Sequence, residues 1–162
     1  MSKTYLLLGG NIGDTEMIFL KTISSLETNC GNILKKSSIY KSEAWGFKSE
    51  SIFLNQVILV ETNLKPEELL QKLLSIEKTM GRERGELKGY SSRVIDIDIL
   101  FYDDLIITGE TLKIPHPLLH KRKFTLMPLN EIAPDYIHPL LLKSITELLM
   151  ECDDKLNVTL YK

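Results

Sequence analysis

The chain has 162 residues, of which 43% are hydrophobic and 26% are charged, and its formal net charge is −2. A chain of this size and composition can bury a sizeable core, so we expect one globular domain over residues 1–162. The slightly negative charge disfavours proteins that bind nucleic acids in general or anionic membranes.

The cysteines and the apolar runs bear on the cellular compartment. Cys30 and Cys152 stand in no recognisable motif, and two cysteines do not make a disulfide framework. The N-terminus lacks a leader cleavage pattern, and no apolar run reaches the length of a membrane span. We therefore expect a cytoplasmic protein with no membrane or nucleic-acid partner.

The first part of the chain predicts strands and helices in alternation. The apolar periodicity predicts, in chain order, a strand over 4–8, a helix over 17–26, strands over 32–41 and 53–62, and a helix over 65–80. Pro66 in the first turn of that helix and Gly81 after its last turn are typical of helix ends. Gly9-Gly10-Asn11, after the first strand, allows the backbone to approach a ligand closely, although a tight turn explains it equally well.

The most informative stretch is the next strand, over 93–102. Its β-branched residues predict a strand, and a central one. Successive side chains point to opposite faces, so Asp96 and Asp98 share one face while Ile97 and Ile99 share the other. Two carboxylates about 7 Å apart on an apolar strand need a compensating cation, and Mg²⁺ is usually held by carboxylates together with substrate phosphates. An edge strand with a wet acidic face is the alternative interpretation.

Arginines precede that strand and favour the metal interpretation. Arg82, Arg84 and Arg93 flank a polar loop that leads directly into it. Guanidinium groups neutralise phosphate oxygens while acids hold the metal, so the combination predicts a metal–polyphosphate site. A second basic cluster, over 120–123, also indicates a small anionic ligand rather than a long polyanion.

The last part of the chain predicts shorter elements. We expect a hairpin over 105–108 and 112–114, a rigid turn at Pro115-His116-Pro117, and helices over 124–132 and 144–150. The preceding order, strand-helix-strand-strand-helix-strand, is typical of a ferredoxin-like unit. The expected fold class is therefore α+β: a ferredoxin-like (βαββαβ) antiparallel sheet with helices packed on it and a C-terminal extension.

Short motifs are spread along nearly the whole chain. They are Leu8-Gly9-Gly10-Asn11, Phe53-Leu54-Asn55, Gly81-Arg82-x-Arg84, Arg93-x-x-Asp96-x-Asp98, Pro115-His116 and Arg122-x-Phe124. In this order they resemble the 6-hydroxymethyl-7,8-dihydropterin pyrophosphokinase family. The resemblance implies transfer of the β,γ-pyrophosphate of ATP to the pterin's hydroxymethyl group, with release of AMP, in folate biosynthesis. It also implies two Mg²⁺ ions, ATP and the pterin as small-molecule partners, and we expect a monomer.

The resemblance assigns residues to roles. Both Mg²⁺ ions would bind Asp96 and Asp98, and Asp98 would help to accept the hydroxyl proton. The residues implied in catalysis are Arg82, Arg93, Asp96, Asp98 and Arg122. Those implied in nucleotide binding are Arg82, Arg84, Arg93, Ile99, Lys113, His116 and Arg122. Those implied in the pterin pocket are Ser42, Trp45, Phe53, Asn55 and Phe124, with the amide pairing to the ring edge and Phe124 stacking on the ring.

The chain departs from the family pattern near the nucleotide. Ser91-Ser92 stands where the family has Gly-Pro, and Thr111 stands where it has an arginine. Lys113 would supply the charge that is missing at Thr111. These changes concern nucleotide contacts rather than the type of reaction.

Two other classes of protein stay open from the residues alone. A metal-dependent phosphohydrolase or nucleotidyltransferase would use the same aspartates without a shared pterin pocket. A non-catalytic ferredoxin-like binding module would leave the carboxylates on a wet edge, away from the arginines. Single residues also have ordinary explanations: His116 as a turn residue and Phe124 as a core residue. Glu77, near Arg82, could steady the arginine loop, and a surface ion pair explains it equally well.

Overall fold

The structure is a computed structural model that describes residues 1–44, 52–81 and 94–162. Within these ranges the elements are β1 (Ser2–Gly10), α1 (Thr15–Asn29), β2 (Asn32–Lys36), β3 (Tyr40–Ser42), β4 (Phe53–Thr62), α2 (Pro66–Thr79), β5 (Asp96–Tyr102), β6 (Ile107–Thr108), β7 (Lys113–Ile114), a 3₁₀ turn (Leu119–Lys121), α3 (Lys123–Ile132), α4 (Ile145–Glu151) and β8 (Val158–Leu160).

One antiparallel sheet organises these elements. Its strands lie in the order β5-β1-β4-β3-β8, and β2 pairs with β4 as well. Every pair that the described strands form is antiparallel, including the small separate ribbon of β6 and β7. The prediction of an antiparallel sheet with helices packed on it is therefore confirmed.

The core is divided between the two faces of the sheet. On one face, Leu6 and Leu8 of β1 pack in a cluster with Phe19 of α1 and Leu69 of α2. On the other face, Leu7 of β1 packs in a second cluster with residues of α3 and α4. The alternation of side chains along β1 explains this division, because neighbouring residues on a strand point to opposite faces.

The helix ends follow their local sequence. The Asp14 side chain accepts a hydrogen bond from the Met17 N–H at 3.2 Å and so caps the start of α1. Pro66 stands at the start of α2, and Gly81 follows its end with φ of +101°, a conformation that glycine adopts without strain. Within the described part of the chain, no helix combines the length and hydrophobicity that crossing a bilayer requires.

The prediction that β5 is a central strand is wrong. In the described residues β5 pairs with β1 alone and ends the sheet. Its apolar side chains are buried because helices cover both faces, so hydrophobicity does not distinguish this edge strand from a central one. A bulge lies at Leu100, since Leu6 pairs with Ile99 and Tyr5 with Phe101. Leu100 and Phe101 therefore both pack in the cluster with α3.

The predicted strand over 32–41 is two shorter strands, β2 and β3. Between them Ser37 is buried and bonds to Val57 of β4 through both its backbone N–H and its side-chain oxygen. Beyond β3 the sheet gains β8, which the sequence did not predict. β8 is only three residues long, too short for a periodic signal.

Candidate active site

The two aspartates of β5 lie on the sheet face that α3 covers. Asp96 pairs with Gly9 of β1, and Asp98 pairs with Leu7, whose side chain belongs to the cluster with α3. Ile97 and Ile99 are buried in the opposite cluster. The predicted sharing of one face by the two carboxylates is confirmed. The Asp98 side chain is 27% exposed, so it is neither sealed in the core nor fully solvated.

One row of the sheet joins Asp96 to Asn55. Gly9 of β1 pairs with Asp96 on one side and with Asn55 of β4 on the other. Residues paired across antiparallel strands point to the same face, so Asn55 and Asp96 face the same way with a glycine between them. A Cβ at Gly9 would lie 3.5 Å from Asn55 Oδ1. The middle position of this row thus carries no side chain.

The amide of Asn55 is held in one orientation. Asn55 is 3% exposed, and its Nδ2 donates to Ser42 Oγ at 2.9 Å. Ser42 in turn pairs with Phe53 at the end of the β3–β4 ladder. The structure therefore brings Ser42, Phe53 and Asn55 together. This bond uses one of the amide's two donors, and the carbonyl oxygen is the amide atom that lies near Gly9.

His116 approaches the acids from the segment after β7. Its Nε2 lies 4.0 Å from Asp98 Oδ2, and its backbone N–H donates to the Leu100 carbonyl at 3.0 Å. Its Nδ1 accepts from the Leu118 N–H at 3.1 Å, so the neutral ring carries its proton on Nε2, facing Asp98. Burial lowers the pKa of His116, and the nearby charge of Asp96 raises it in part. The histidine is therefore neutral at pH 7 and presents a donor.

Arg122 and Phe124 lie at the start of α3. Arg122 is 5% exposed, and its guanidinium carbon lies 5.6 Å from the centroid of the Phe124 ring. Burial lowers the pKa of Arg122 to about 10, so the side chain keeps its charge at pH 7. Phe124 is partly buried against the cluster that α3 shares with the sheet. A buried arginine on an aromatic face is suited to a planar or anionic ligand.

The remaining predicted site residues differ in where they lie and in whether the structure describes them. Lys113 is exposed on β7. Ile99 is buried on the face opposite to the aspartates, so its side chain points away from them. Trp45, Arg82, Arg84 and Arg93 lie outside the described residues.

Glu77 is a buried acid near this site, although the sequence also allowed it a place on the surface. Glu77 of α2 is 1% exposed, so the alternative of a surface ion pair is wrong. Its Oε2 accepts a hydrogen bond from the Ile97 N–H at 3.0 Å, between the two aspartates. The signal was present in the spacing, since Glu77 follows Leu69 and Leu73 at intervals of four on the buried stripe of the helix.

A second acid ties α3 to the sheet. Glu131 accepts from the Ser38 N–H at 2.7 Å and from the Tyr40 hydroxyl at 2.8 Å. Burial and this bond raise the pKa of Tyr40 to about 12. Because Tyr40 belongs to β3 and Glu131 to α3, the contact connects the strand that carries Ser42 with the helix that carries Phe124.

Comparisons with known proteins match this chain over most of its length. The family model described as 7,8-dihydro-6-hydroxymethylpterin-pyrophosphokinase (HPPK) matches residues 5–134. The 2-amino-4-hydroxy-6-hydroxymethyldihydropteridine pyrophosphokinase of Aquifex aeolicus is 46% identical over 147 residues, which cover 91% of this chain and 90% of that protein. The protein of the same name from Porphyromonas gingivalis is 38% identical over 141 residues, covering 86% and 95%.

Longer proteins match as well. The folic acid synthesis protein FOL1 of Dictyostelium discoideum is 42% identical over 137 residues, which are 85% of this chain but 20% of that protein. A crystal structure of HPPK-DHPS in complex with substrates has a TM-score of 0.75 at 17% identity, covering 93% of this chain and 43% of that one. Plasmodium falciparum HPPK-DHPS with pteroate has a TM-score of 0.73 at 19% identity, covering 93% and 42%. The likeness to these solved structures shows a common fold, over less than half of each of those chains.

Proposed function

The chain belongs to the 7,8-dihydro-6-hydroxymethylpterin-pyrophosphokinase family, and we propose that it transfers the β,γ-pyrophosphate of ATP to the hydroxymethyl group of 6-hydroxymethyl-7,8-dihydropterin. In this reaction the hydroxymethyl oxygen forms a bond to the β-phosphorus. The bond from that phosphorus to the oxygen of the α-phosphate breaks, and AMP leaves. The products are AMP and the pterin diphosphate, a precursor in folate biosynthesis.

The row Asn55–Gly9–Asp96 is the observation that carries this proposal. A buried, oriented amide suits the polar edge of a flat heterocycle, and a carboxylate suits the metal that accompanies a triphosphate. The two groups share one face, and the glycine between them leaves room for a ligand that reaches from one to the other. A reaction between two substrates needs this arrangement, because the main contribution of an enzyme to phosphoryl transfer is to position the acceptor hydroxyl against the phosphate.

Asp96 and Asp98 would hold two Mg²⁺ ions. Their carboxylates are hard oxygen ligands, they share a face, and Asp98 is accessible. Among the described residues, no cluster of three or more His, Cys, Asp or Glu side chains could hold a metal. We assign the remaining ligand positions to phosphate oxygens and water, as is usual for Mg²⁺ at nucleotide sites. When bound, the ions neutralise the charge that develops on the phosphate oxygens.

The cationic and polar side chains would bind the triphosphate. His116 presents its Nε2–H beside Asp98, where it can donate a hydrogen bond to a phosphate oxygen. Arg122 keeps its charge at pH 7, and Lys113 supplies a further charge at the surface. We assign Arg82, Arg84 and Arg93 to the same ligand, and Ile99 to the nucleotide, on the family resemblance. Asp98 helps to accept the proton of the hydroxymethyl group.

The pterin pocket would be formed where β3, β4 and the start of α3 meet. Asn55 pairs with the ring edge, and Ser42 fixes the orientation of its amide. Phe124 offers a ring face, and Phe53 lies beside Ser42. We assign Trp45 to the same pocket from the sequence pattern alone.

We also assign the finer fold class and the state of assembly. The order β5-β1-β4 with β2 and β3 beyond supports the assignment of a ferredoxin-like βαββαβ unit, in which α3, α4 and β8 would be the C-terminal extension. Residues 1–162 form one domain that acts as a monomer on two small-molecule substrates.

A coupled assay for AMP formation tests the proposal. Purified protein with ATP and Mg²⁺ is measured with and without 6-hydroxymethyl-7,8-dihydropterin, and ADP and phosphate are measured in parallel. We expect AMP to form only when the pterin is present. Nucleotide hydrolysis at the same rate without the pterin would instead indicate a phosphohydrolase.

A further inference from the structure

Glu77 connects α2 to the strand that carries both aspartates. Its Oε2 accepts the Ile97 N–H at 3.0 Å, and Ile97 stands between Asp96 and Asp98. Residues on an antiparallel strand alternate between bonding inward and outward. Since the Ile97 N–H bonds to Glu77, the backbones of Asp96 and Asp98 are the ones directed to β1. The segment is therefore fixed from both sides, by β1 and by Glu77.

Packing alone does not explain an acid at this position. Glu77 is 1% exposed, on a stripe otherwise formed by Leu69, Leu73 and Ile76. A buried carboxylate costs free energy that a leucine would not, and it lies near the C-terminal end of α2, where the helix dipole disfavours a negative charge. Leucine cannot supply an acceptor for the edge N–H of Ile97, whereas the Glu77 carboxylate does.

We propose that Glu77 is a positioning residue for metal binding: through Ile97 it holds the β5 segment so that Asp96 and Asp98 point together to the substrate face. Glu77 is not itself a ligand, because it reaches the strand from its edge while the two aspartates point to the face covered by α3. This inference rests on the proposed function, since it assigns the metal to Asp96 and Asp98.

Three substitutions separate the hydrogen bond from the charge and from packing. Glu77→Gln keeps an acceptor of the same length without the charge, whereas Glu77→Leu keeps the volume without an acceptor. Glu77→Asp keeps the charge but shortens the reach by one methylene, and it replaces Glu77→Leu if that variant does not fold. Glu67→Leu, at an exposed acid of the same helix, is the matched control.

The measurement is binding of Mn²⁺, a probe that prefers the same oxygen ligands as Mg²⁺. Free Mn²⁺ is followed by electron paramagnetic resonance in the presence of an ATP analogue with a methylene group between its α- and β-phosphorus atoms. Loss of a group that supports a metal site from outside its ligands weakens affinity by about 10–100-fold. Glu77 supports the site through Ile97, the residue between the two proposed ligands, so we expect a loss of this order in Glu77→Leu and Glu77→Asp. We expect wild-type affinity in Glu77→Gln and in Glu67→Leu.

The outcomes distinguish this inference from the proposed function. Wild-type Mn²⁺ affinity in Glu77→Leu and Glu77→Asp would overturn the positioning role even if the wild-type protein forms AMP from the pterin. An equal loss in Glu77→Gln would also overturn it, because charge would then matter and the hydrogen bond would not. Absence of pterin-dependent AMP formation in the wild-type protein would instead count against the proposed function.

Discussion

Substitution of Gly9 is the most direct test of the row Asn55–Gly9–Asp96, which joins the pterin and metal parts of the proposed site. Neighbouring strands lie about 4.8 Å apart, so the Cα atoms of Asn55 and Asp96 are about 10 Å apart with Gly9 midway. In Gly9→Ala the new methyl group would lie 3.5 Å from Asn55 Oδ1, an ordinary van der Waals contact, and 4.0 Å from the Leu54 carbonyl oxygen. The fold can therefore accept the methyl group, but the substrate would meet it.

Stability and binding should then change in opposite directions. Replacing a strand glycine by alanine restricts the unfolded chain and raises the free energy of unfolding by about 0.5–1 kcal/mol. For a chain of this size that corresponds to a rise in melting temperature of about 1–4 °C. A methyl group forced against a bound ligand costs about 1–3 kcal/mol. Pterin affinity should therefore fall by about 5–150-fold.

Isothermal titration calorimetry with each ligand checks this prediction. The protein is titrated with the methylene ATP analogue and Mg²⁺, and then with the pterin in the presence of that analogue. Nucleotide affinity should stay unchanged in Gly9→Ala. Gly10→Ala, whose methyl group points to the opposite face of β1, is the control and should leave pterin affinity unchanged. Unaltered pterin affinity in a folded Gly9→Ala protein would refute the placement of the substrate over this row.

Three further predictions concern the pocket and its supports. Asn55→Ala should weaken pterin binding by about 5–150-fold, because the ring edge loses a buried partner, and should spare the nucleotide; calorimetry showing a loss for the nucleotide instead would contradict the assignment. Burial lowers the pKa of His138 from an ordinary 6.5 to about 4. As the pH falls, this histidine therefore takes up a proton in the unfolded chain before it does so in the folded protein. The free energy of unfolding should fall by about 1–3 kcal/mol between pH 6.5 and pH 4. Urea denaturation should show a smaller fall of the unfolding free energy with pH in His138→Asn. A pH profile identical to that of the wild-type protein would show that His138 does not cause the loss of stability. Tyr40→Phe should cost about 1 kcal/mol of unfolding free energy in the same assay, because Glu131 loses a hydrogen bond at 2.8 Å, and no change would show that this bond does not hold α3 to the sheet.

Elements with long periodic patterns or clear end signals were predictable from the sequence. The helix that begins at Pro66 and ends before Gly81 is one example, and the strand from Phe53 to Thr62 is another. The shared face of Asp96 and Asp98 followed from alternation on a strand, which the bulge does not disturb because it lies beyond them at Leu100. The motif resemblance is confirmed by the family match over residues 5–134.

Features that depend on long-range contacts were not predictable. The edge position of β5 depends on which strands pair. A strand covered by helices on both faces has the same hydrophobic sequence pattern as a central strand. β8 is recognisable only through its pairing with β3. The orientation of the Asn55 amide depends on Ser42, thirteen residues away in sequence. Glu77 illustrates the same limit, because the spacing indicated its buried face whereas Ile97, whose N–H it accepts, lies on another element.

The central claim is that Asp96 and Asp98 hold the metal for pyrophosphoryl transfer. Its most direct test is AMP formation by Asp98→Asn at saturating ATP, Mg²⁺ and 6-hydroxymethyl-7,8-dihydropterin, with a melting curve on the same sample. We predict turnover lower by orders of magnitude with no loss of thermal stability, because the side chain keeps its volume and loses only its charge. A folded Asp98→Asn protein that turns over at the wild-type rate would contradict the claim.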